Sequence, residues 1–514
     1  MKRRQFIKFS ALMAGVTASS AFAMGRPSVR SRRRGRNNRP NLNLKTSQPL
    51  YIPPLYEGVM NDMGQREYYL SINESTHEFF EGVETDTWSI GYEGVELGFL
   101  GPVLKMTKGE YVRVRYYNAL PETTTMHGHG MHVPAAMDGG PHQRIASGEE
   151  WIAEYVVDQP ASTNWFHPHE MGKTAEHVYK GLAGLIFVED DTSSSLALPN
   201  TYGVDDVPLV LQDRVFDGNG QLLYNPRPMD IMRGYHGDVW LANGQVMPVL
   251  DAGQGLLRLR LLNGSNAGIY QLSFDKPNVP LYLVGTDGGL KETPVPIDGL
   301  TLTAGERAEI LLDLTGMAGE ELVLKVSESL SGKKGSFLRI KVRDYWAEKT
   351  AVPVALASLE LYNKKDAVRT RRFVLGMGGM RGGMSRRGFF GGGRSSGGGM
   401  QFTINGKSMD MNRIDEVVPI DQVEIWEIEN PMMMAHNFHV HAIHFIPLDR
   451  NGRKSNLAPW ERDAYKDTLY MPPRSRARVL VKMKDYTDPQ NPYMYHCHIL
   501  EHEDAGMMGQ FTVV

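Results

Sequence analysis

The chain has 514 residues, of which 41% are hydrophobic, and this length predicts about two to four domains, each with its own core. The formal net charge of −3 provides no global field that would attract a nucleic acid. Cys497 is the single cysteine, which excludes an intrachain disulfide. In an exported protein such a cysteine is either a free thiol or a metal ligand, and the histidines around it favour the ligand.

Residues 1–23 have the pattern of a twin-arginine signal peptide. Arg3 and Arg4 precede a short, mildly apolar stretch, and an A-x-A cleavage signal ends at Ala23. The pattern predicts export to the periplasm, and the apolar stretch is too short for stable membrane insertion. Residues 24–44 are rich in Arg, Asn and Pro, which predicts a disordered basic linker.

From about residue 45 the sequence changes to short β-rich runs that are separated by turn residues. Apolar and polar residues alternate at period two in 111–117, 256–262 and 477–481. Strands separated by turns, without long helical periods, are typical of β-sandwiches. We therefore predict an all-β fold.

Residues 376–400 form a low-complexity insert rich in Gly, Arg, Ser and Met. So many glycines cannot form a packed core, so the composition predicts a loop. The composition suits a plain flexible linker, and its methionines are also common as flexible filler. The Arg-Gly pattern would also suit RNA, but export removes that partner, and we expect no nucleic-acid binding.

Half of the 16 histidines lie in H-x-H pairs. Such a pair on a strand places both rings on one face, where they can bind one metal ion or two adjacent ions. A single pair is more often a solvated strand face or a packed imidazole, but four pairs beside a His-Cys-His run favour a metal site. The pairs are His127/His129, His167/His169, His439/His441 and His496/His498.

The run around Cys497 matches a blue-copper electron-transfer site. Such a site uses one thiolate, two imidazoles and a weak thioether, and Cys497, His502 and Met507 supply three of these ligands. His496 and His498 flank the cysteine, and neighbours on a strand point to opposite faces. If the thiolate binds one metal, both flanking imidazoles face another, so this segment would connect two copper sites.

Four motifs resemble those of the multicopper oxidases, and within that family the bacterial copper-efflux and laccase-like branch. The similarity covers nearly the whole exported chain, and the motifs occupy residues 126–130, 165–169, 436–441 and 496–507. The resemblance implies three cupredoxin-like Greek-key β-sandwich domains, with a trinuclear copper site between the first and the third and a structural middle domain. We expect these domains at 45–192, 193–350 and 351–514. Efflux-type members carry a Met-rich insert where this chain has residues 376–400, so the resemblance adds a copper-collecting loop as the alternative to a flexible linker.

The resemblance also implies four copper ions per chain, one of type 1, one of type 2 and two of type 3. The implied type 1 ligands are His436, Cys497, His502 and the axial Met507. The implied type 2 ligands are His127 and His439. The implied type 3 ligands are His129, His167, His169, His441, His496 and His498. One departure is Gly128, where many members carry Trp, and it leaves every ligand in place.

Two carboxylates are candidates for moving protons. Reducing O2 to water consumes protons, so a proton source is needed near the trinuclear site. By family position, Asp138 and Glu503 fill that role. The other interpretation of each carboxylate is a hydrogen bond that orients an imidazole ligand, and the two roles are compatible.

Electrons should enter at a type 1 histidine, and three methionines precede His436. Met432 and Met434 are the candidate Cu(I)-binding residues, although efflux-type members carry a carboxylate where this chain has Met432; the alternative is core packing. We expect a monomeric periplasmic oxidase that uses O2 to oxidise Cu(I) and so detoxifies copper. The alternatives are a laccase-like oxidase of phenols and aromatic amines, and a non-catalytic copper-binding or electron-transfer protein.

Overall fold

The structure is a computed structural model, and it describes residues 42–378 and 401–514. The predicted signal peptide, nearly all of the predicted linker and most of the low-complexity insert lie outside these residues. Within the described ranges, no helix combines the length and the apolar character needed to cross a membrane. The all-β prediction is confirmed, because 32 strands in six sheets form nearly all the regular structure of the described residues.

The first β-sandwich consists of two five-stranded sheets. One sheet has the order β1-β5-β10-β9-β7, and the other has β2-β3-β6-β8 with β4 beside β3. Tyr68 and Val114 of one sheet share a buried core with Leu104 and Ile186 of the other. The strands are β1 Leu55–Tyr56, β2 Val59–Met60, β3 Arg66–Phe80, β4 Val83–Tyr92, β5 Val103–Thr107, β6 Tyr111–Asn118, β7 His127–His129, β8 Glu150–Val156, β9 Ser162–His167 and β10 Gly184–Glu189.

The middle β-sandwich combines a seven-stranded and a five-stranded sheet. Their orders are β13-β12-β11-β15-β20-β17-β18 and β14-β22-β21-β16-β19. Leu209 and Leu259 of the larger sheet share a buried core with Tyr270 and Ile340 of the smaller one. The strands are β11 Asp206–Arg214, β12 Val239–Ala242, β13 Gln245–Val246, β14 Val249–Gln254, β15 Leu256–Asn263, β16 Tyr270–Phe274, β17 Leu281–Thr286, β18 Gly289–Pro296, β19 Leu300–Leu302, β20 Arg307–Asp313, β21 Glu321–Glu328 and β22 Lys334–Trp346.

The third β-sandwich again has two five-stranded sheets, with the orders β24-β23-β26-β30-β28 and β25-β32-β31-β27-β29. Its core contains Trp426 and Val479 of the first sheet, Phe438 and Phe511 of the second, and also Cys497. The strands are β23 Arg369–Met377, β24 Phe402–Ile404, β25 Glu416–Val418, β26 Val423–Asn430, β27 His436–Val440, β28 Ile446–Arg450, β29 Thr468–Met471, β30 Ser475–Lys482, β31 Asp488–His496 and β32 Met508–Val513.

The helices of the described residues are short and lie in the connections between strands. The longest runs for seven residues, and its Ala175 and Val178 share a small buried apolar cluster with Leu500. The α-helices are α1 Thr174–Lys180, α2 Asp191–Ser195, α3 Pro228–Arg233 and α4 Leu500–Asp504. Single 3-10 turns occur at Ala135–Met137, Lys364–Asp366 and Lys454–Asn456.

The middle sandwich contacts both of its neighbours. Trp165 of the first sandwich shares an apolar cluster with Val210 and Leu241 of the middle one. Toward the third sandwich, the backbone N–H of Gly288 donates to the carbonyl oxygen of Tyr465 at 2.9 Å. The middle sandwich therefore contacts both flanking sandwiches directly.

Candidate metal centre

Backbone pairing places the predicted histidine pairs of each flanking sandwich side by side. In the first sandwich β7 runs antiparallel to β9, and His127 lies opposite His167. In the third sandwich β27 runs antiparallel to β31, and His439 lies opposite His496. The strand register thus turns pairs that are far apart in the sequence into neighbouring rings.

Rings from the first and third sandwiches stack on each other. His127 lies on His441 with ring centres 3.9 Å apart and an angle of 17° between the planes. His129 lies on His439 at 3.8 Å and 12°. All histidines of the four H-x-H pairs are buried. The structure therefore brings the four predicted pairs into a single cluster shielded from water.

Ring nitrogens converge in this cluster in groups of three. The Nε2 atoms of His169 and His441 lie 3.2 and 3.1 Å from Nε2 of His496. Imidazole–metal bonds are about 2.0–2.1 Å long, so one ion fits between these three nitrogens. In each group the candidate ligand atoms lie within 4.8 Å of one another, and the groups are His169/His441/His496, His129/His167/His498 and His127/His129/His439.

Unpaired ring nitrogens test whether metal ions fit the cluster. Nε2 of His127, His167 and His439 and Nδ1 of His129 are buried without a hydrogen-bond partner, as are both ring nitrogens of His498. A buried polar atom without a partner costs about 1–3 kcal/mol, and imidazole nitrogen is a good copper ligand. Burial lowers the pKa of His127 well below its usual value, and the neutral imidazole is the form that binds a metal. The donor set therefore fits bound metal ions.

A second donor set surrounds Cys497. Its Sγ lies 3.5 Å from Nδ1 of His436 and 3.6 Å from Nδ1 of His502, and these two nitrogens are 3.1 Å apart. Met507, the predicted axial ligand, is buried in the same core. Burial raises the pKa of the Cys497 thiol to about 12, so a bound cation is needed to stabilise the thiolate here. A thiolate and two imidazoles in contact match the ligands of a blue-copper site.

The tripeptide His496-Cys497-His498 connects the two donor sets. Asn437 holds this segment in place, because its Oδ1 accepts a hydrogen bond from the backbone N–H of His498 at 2.6 Å and lies 3.5 Å from Sγ of Cys497. The Nδ2 of Asn437 donates to the carbonyl oxygen of Ala304 at 2.9 Å. The connection is thus fixed by a side chain that is itself anchored on the middle sandwich.

Asp138 and Glu503 contact the same group of three imidazoles. Glu503 Oε2 lies 3.1 Å from Nδ1 of His496, and its Oε1 lies 3.4 Å from Nδ1 of His169. Asp138 Oδ2 lies 2.7 Å from Nδ1 of His441. Burial raises the pKa of Asp138. Burial also raises the pKa of Glu503, but the imidazoles of His169 and His496 lower it more, so the pKa of Glu503 lies below its usual value. Both carboxylates therefore orient these rings through Nδ1, while the Nε2 atoms converge on one another.

Asp467 is a contact of the histidine cluster that the sequence motifs did not indicate. Its Oδ1 accepts a hydrogen bond from Nε2 of His129 at 3.2 Å, and its carbonyl oxygen accepts one from Nδ1 of His439 at 2.9 Å. No ligand spacing marks this aspartate in the sequence. The pairing of β29 with β27 brings it to the cluster, because its neighbour Thr468 lies opposite His439.

The predicted Cu(I)-binding methionines lie on the third sandwich. Met432 and Met434 are partly buried against its core, whereas Met433 is 71% exposed. Glu429, the carboxylate just before them, forms an ion pair with Arg372. The partial burial of Met432 and Met434 is therefore compatible with a packing role and with a metal-binding role.

The two histidines beside Cys497 differ at Nε2, the ring nitrogen that faces away from Sγ. Nε2 of His502 donates to the carbonyl oxygen of Met232 in α3 at 3.1 Å. Nε2 of His436 is buried without a hydrogen-bond partner. A helix of the middle sandwich therefore provides a hydrogen-bond partner for Nε2 of His502 but none for Nε2 of His436.

Two family models described as multicopper oxidase match residues 73–193 and 382–514. The "Multicopper oxidase mco" of Staphylococcus haemolyticus is 33% identical over 468 residues, which are 90% of this chain and 92% of that protein. The "Cell division protein FtsP" of Dickeya dadantii is 33% identical over 517 residues, which are 100% of this chain and 98% of that protein. Similar proteins thus carry two different roles in their names.

Solved structures of similar proteins share the fold. One is a bacterial laccase-like multi-copper oxidase CueO from Ochrobactrum sp. with oxidase activity towards lignin model compounds; it is 34% identical, with a TM-score of 0.78, over 91% of this chain and 100% of that one. Another is a multicopper oxidase from Campylobacter jejuni described as a metallo-oxidase; it is 28% identical, with a TM-score of 0.77, over 92% and 98% of the two chains. The likeness confirms the prediction that the sandwiches are cupredoxin-like.

Proposed function

The chain belongs to the multicopper oxidase family, and from this premise we propose that it couples the oxidation of Cu(I) to the reduction of O2 to water, for copper detoxification. The observation that carries the proposal is the pair of buried donor sets joined by residues 496–498. One set has the ligands of a one-electron site, and the other has enough imidazoles to hold several ions beside two carboxylates. A protein that takes single electrons from a donor and passes them to O2 needs both sets.

We assign four copper ions per chain to these donors, and the buried ring nitrogens without partners support the assignment. The type 1 ligands are His436, Cys497, His502 and Met507. The type 2 ligands are His127 and His439. The type 3 ligands are His129, His167, His169, His441, His496 and His498.

When bound, copper supplies one-electron redox chemistry at the type 1 site and multi-electron reduction of O2 at the trinuclear site. The protein provides the covalent connection through His496-Cys497-His498, and Asn437 keeps that connection rigid through its bond to the His498 N–H. Burial of every proposed ligand excludes water from both sites. Exclusion of water prevents side reactions and strengthens each hydrogen bond to the imidazoles.

Glu503 is the proposed proton relay. Its Oε2 faces Nδ1 of His496 and its Oε1 faces Nδ1 of His169, so it contacts two of the proposed type 3 ligands. A carboxylate in that position can hold a proton and release it. Asp138 approaches the same group through His441 and is proposed as the second member of the relay.

We expect Glu503→Gln to slow O2 reduction by about 10²–10⁴-fold, because an amide cannot relay a proton. The blue absorption should remain, since Cys497 is unchanged. Glu501→Gln is the matched control, because Glu501 is also buried in α4 but bonds Tyr224 and Asn266. O2 uptake at saturating donor is the measurement, and unchanged turnover in Glu503→Gln would remove Glu503 from the mechanism.

We infer that electrons enter at His436. Nε2 of His502 donates a hydrogen bond to the carbonyl oxygen of Met232, whereas Nε2 of His436 has no hydrogen-bond partner. Met432 and Met434 lie just before His436 in the sequence and are partly buried on the same core. Thioethers beside the receiving histidine suit Cu(I), which prefers soft ligands.

A laccase-like activity on phenols and aromatic amines is the second candidate. The observation in its favour is the similarity to the Ochrobactrum oxidase, whose activity is towards lignin model compounds. The name of the FtsP relatives raises a third candidate, a role in cell division. A copper-free scaffold has no use for a complete set of buried donors, so the retained ligands favour an oxidase over a scaffold.

We further propose that the protein acts in the periplasm as a monomer. The twin-arginine pattern of residues 1–23 supports export, and it suits a chain that folds before it crosses the membrane. The proposed domains are 45–192, 193–350 and 351–514, in line with the three sandwiches.

Steady-state O2 uptake with Cu(I) and with a bulky phenol, each with and without added copper, tests the proposal. We expect kcat/KM to be higher for Cu(I). A preference for the phenol would place the laccase-like function first. If the fully copper-loaded protein consumed no O2 with any class of donor, the oxidase proposal would be wrong.

A further inference from the structure

The middle sandwich supplies none of the proposed copper ligands, yet one of its arginines reaches the histidine cluster. Arg307 is the first residue of β20 and is fully buried. Its Nη1 donates to Oδ1 of Asp467 at 2.8 Å, and its Nη2 donates to Oδ2 at 2.5 Å. This is the two-pronged, charge-assisted geometry that arginine forms with a carboxylate and that lysine cannot reproduce.

The same carboxylate contacts a histidine from each flanking sandwich. Oδ1 of Asp467 accepts from Nε2 of His129 at 3.2 Å and lies 3.5 Å from Nδ1 of His439. The carbonyl oxygen of Asp467 lies 2.9 Å from that Nδ1. Thr468 supports the arrangement, because its hydroxyl donates to Oδ1 of Asp467 at 2.9 Å and lies 3.1 Å from Nδ1 of His439. Asp467 therefore holds both rings of one stacked pair.

These hydrogen bonds determine which ring nitrogen is left for a metal. A neutral imidazole carries one N–H and one lone pair. When the N–H of His129 is on Nε2 and faces Asp467, its lone pair is on Nδ1, which has no partner. When the N–H of His439 is on Nδ1, its lone pair is on Nε2, which also has no partner. Asp467 thus leaves Nδ1 of His129 and Nε2 of His439 as the nitrogens available to a metal.

Arg307 is itself held by two sandwiches. Its Nε donates to the carbonyl oxygen of Thr163 at 3.1 Å, and Nη1 donates to that of Gly305 at 3.0 Å. Nη2 donates to the carbonyl oxygen of Asp287 at 3.2 Å, and Oδ1 of Asp287 accepts from the backbone N–H of Arg307 at 2.8 Å. The guanidinium cannot turn away without breaking several buried hydrogen bonds, so it fixes the carboxylate of Asp467.

Charge balance makes this arginine hard to replace. Lys466 Nζ lies 2.9 Å from Oδ2 of Asp287 and 2.8 Å from Oε1 of Glu306. Together with Arg307 and Asp467, this buried network contains two cationic and three anionic side chains. Removing Arg307 would leave a buried carboxylate without its ion pair next to the ligand imidazoles, which is strongly unfavourable.

We propose that Arg307 is a positioning residue of the trinuclear copper site and acts through Asp467. The pair selects Nδ1 of His129 and Nε2 of His439 as metal-binding nitrogens. The middle sandwich is then part of the site, in addition to the structural role expected from the sequence. This inference rests on the proposed copper assignment.

The experiment compares Arg307→Met with Arg258→Met in the full chain. Arg258 is the matched control, because it is a buried arginine of the same sandwich that pairs with Glu309 and Asp206. Both variants are loaded with copper and examined by elemental analysis, absorption and electron paramagnetic resonance. In Arg307→Met we expect the affinity for type 2 copper to fall about 10–100-fold and the type 2 resonance to change. The blue absorption should persist, and Arg258→Met should keep the wild-type type 2 signal.

Arg307→Lys and Asp467→Asn cover the case in which Arg307→Met does not fold. Lysine keeps the charge but loses the two-pronged geometry, and asparagine keeps the shape but loses the charge. Both should weaken type 2 copper binding and shift its resonance at unchanged blue absorption. Type 2 spectra and copper contents equal to those of the wild type would overturn the inference. Wild-type protein without any type 2 copper would instead refute the proposed function, so the two failures are distinguishable.

Discussion

Replacing Cys497 with serine should abolish oxidation of every electron donor and remove the blue absorption. Serine has nearly the same shape, but its hydroxyl does not supply the soft thiolate that a blue-copper site requires. The imidazoles of His436 and His502 would remain, but the thiolate ligand beside them would be lost. Elemental analysis should give about three copper ions per chain instead of about four, because the type 1 ion loses its main ligand. The absorption spectrum and O2 uptake with Cu(I) and with a phenol complete the measurement.

Met494→Leu is the control for this variant. Met494 is buried in β31, the strand that leads to Cys497, and such a volume-conserving swap costs under about 1.5 kcal/mol. Its spectrum and turnover should match the wild type. Oxidation that persists in Cys497→Ser would mean that electrons reach O2 without the type 1 site. One copper ion or none in the reconstituted wild type would refute the trinuclear assignment.

Local sequence patterns predicted the all-β fold and three of the strands, and they marked the H-x-H pairs as candidate metal ligands. The three alternating runs fall in β6, β15 and β30. The H-x-H pairs were informative because the period of a strand is two, so both rings of a pair share a face. The remaining requirement, that pairs from different strands meet, follows from the register that places His127 opposite His167 and His439 opposite His496.

Strand β15 shows what an alternating pattern leaves open. Such a strand usually has one solvent-exposed face, but every residue of β15 is buried. Arg260 pairs with Asp206 at 2.6 Å, Arg258 pairs with Glu309, and the Arg260 guanidinium lies 4.1 Å from the centre of the Phe187 ring. Paired charges can be buried, so the polar face became an interface between two sandwiches. The period of the sequence carries no information about that packing.

Asp467, Arg307 and Met232 could not be predicted for the same reason. Arg307 and Asp467 are 160 residues apart and belong to different sandwiches. Met232 reaches His502 through a backbone carbonyl, which any residue type would supply. Contacts of this kind depend on how whole sandwiches pack, and no local spacing or composition marks them.

Changing Met432, Met433 and Met434 together to leucine should reduce kcat/KM for Cu(I) by about tenfold or more, equivalent to about 1.4 kcal/mol. Leucine keeps the apolar bulk, and such swaps cost under about 1.5 kcal/mol each, so the fold should survive. The substitution removes the soft thioethers that Cu(I) prefers, whereas a phenol needs none. Oxidation of a phenol should therefore continue. O2 uptake by the fully copper-loaded variant with each donor gives the comparison.

Met60→Leu is the control, because Met60 is 53% exposed on β2, an edge strand of the first sandwich. It should oxidise both donors at wild-type rates. Wild-type rates in the triple variant would mean that the methionines only pack against the core. An equal loss with both donors would mean damage at His436, the proposed entry point for electrons, and it would place the laccase-like interpretation ahead of the cuprous one. A loss confined to Cu(I) would identify the thioethers as part of the donor site.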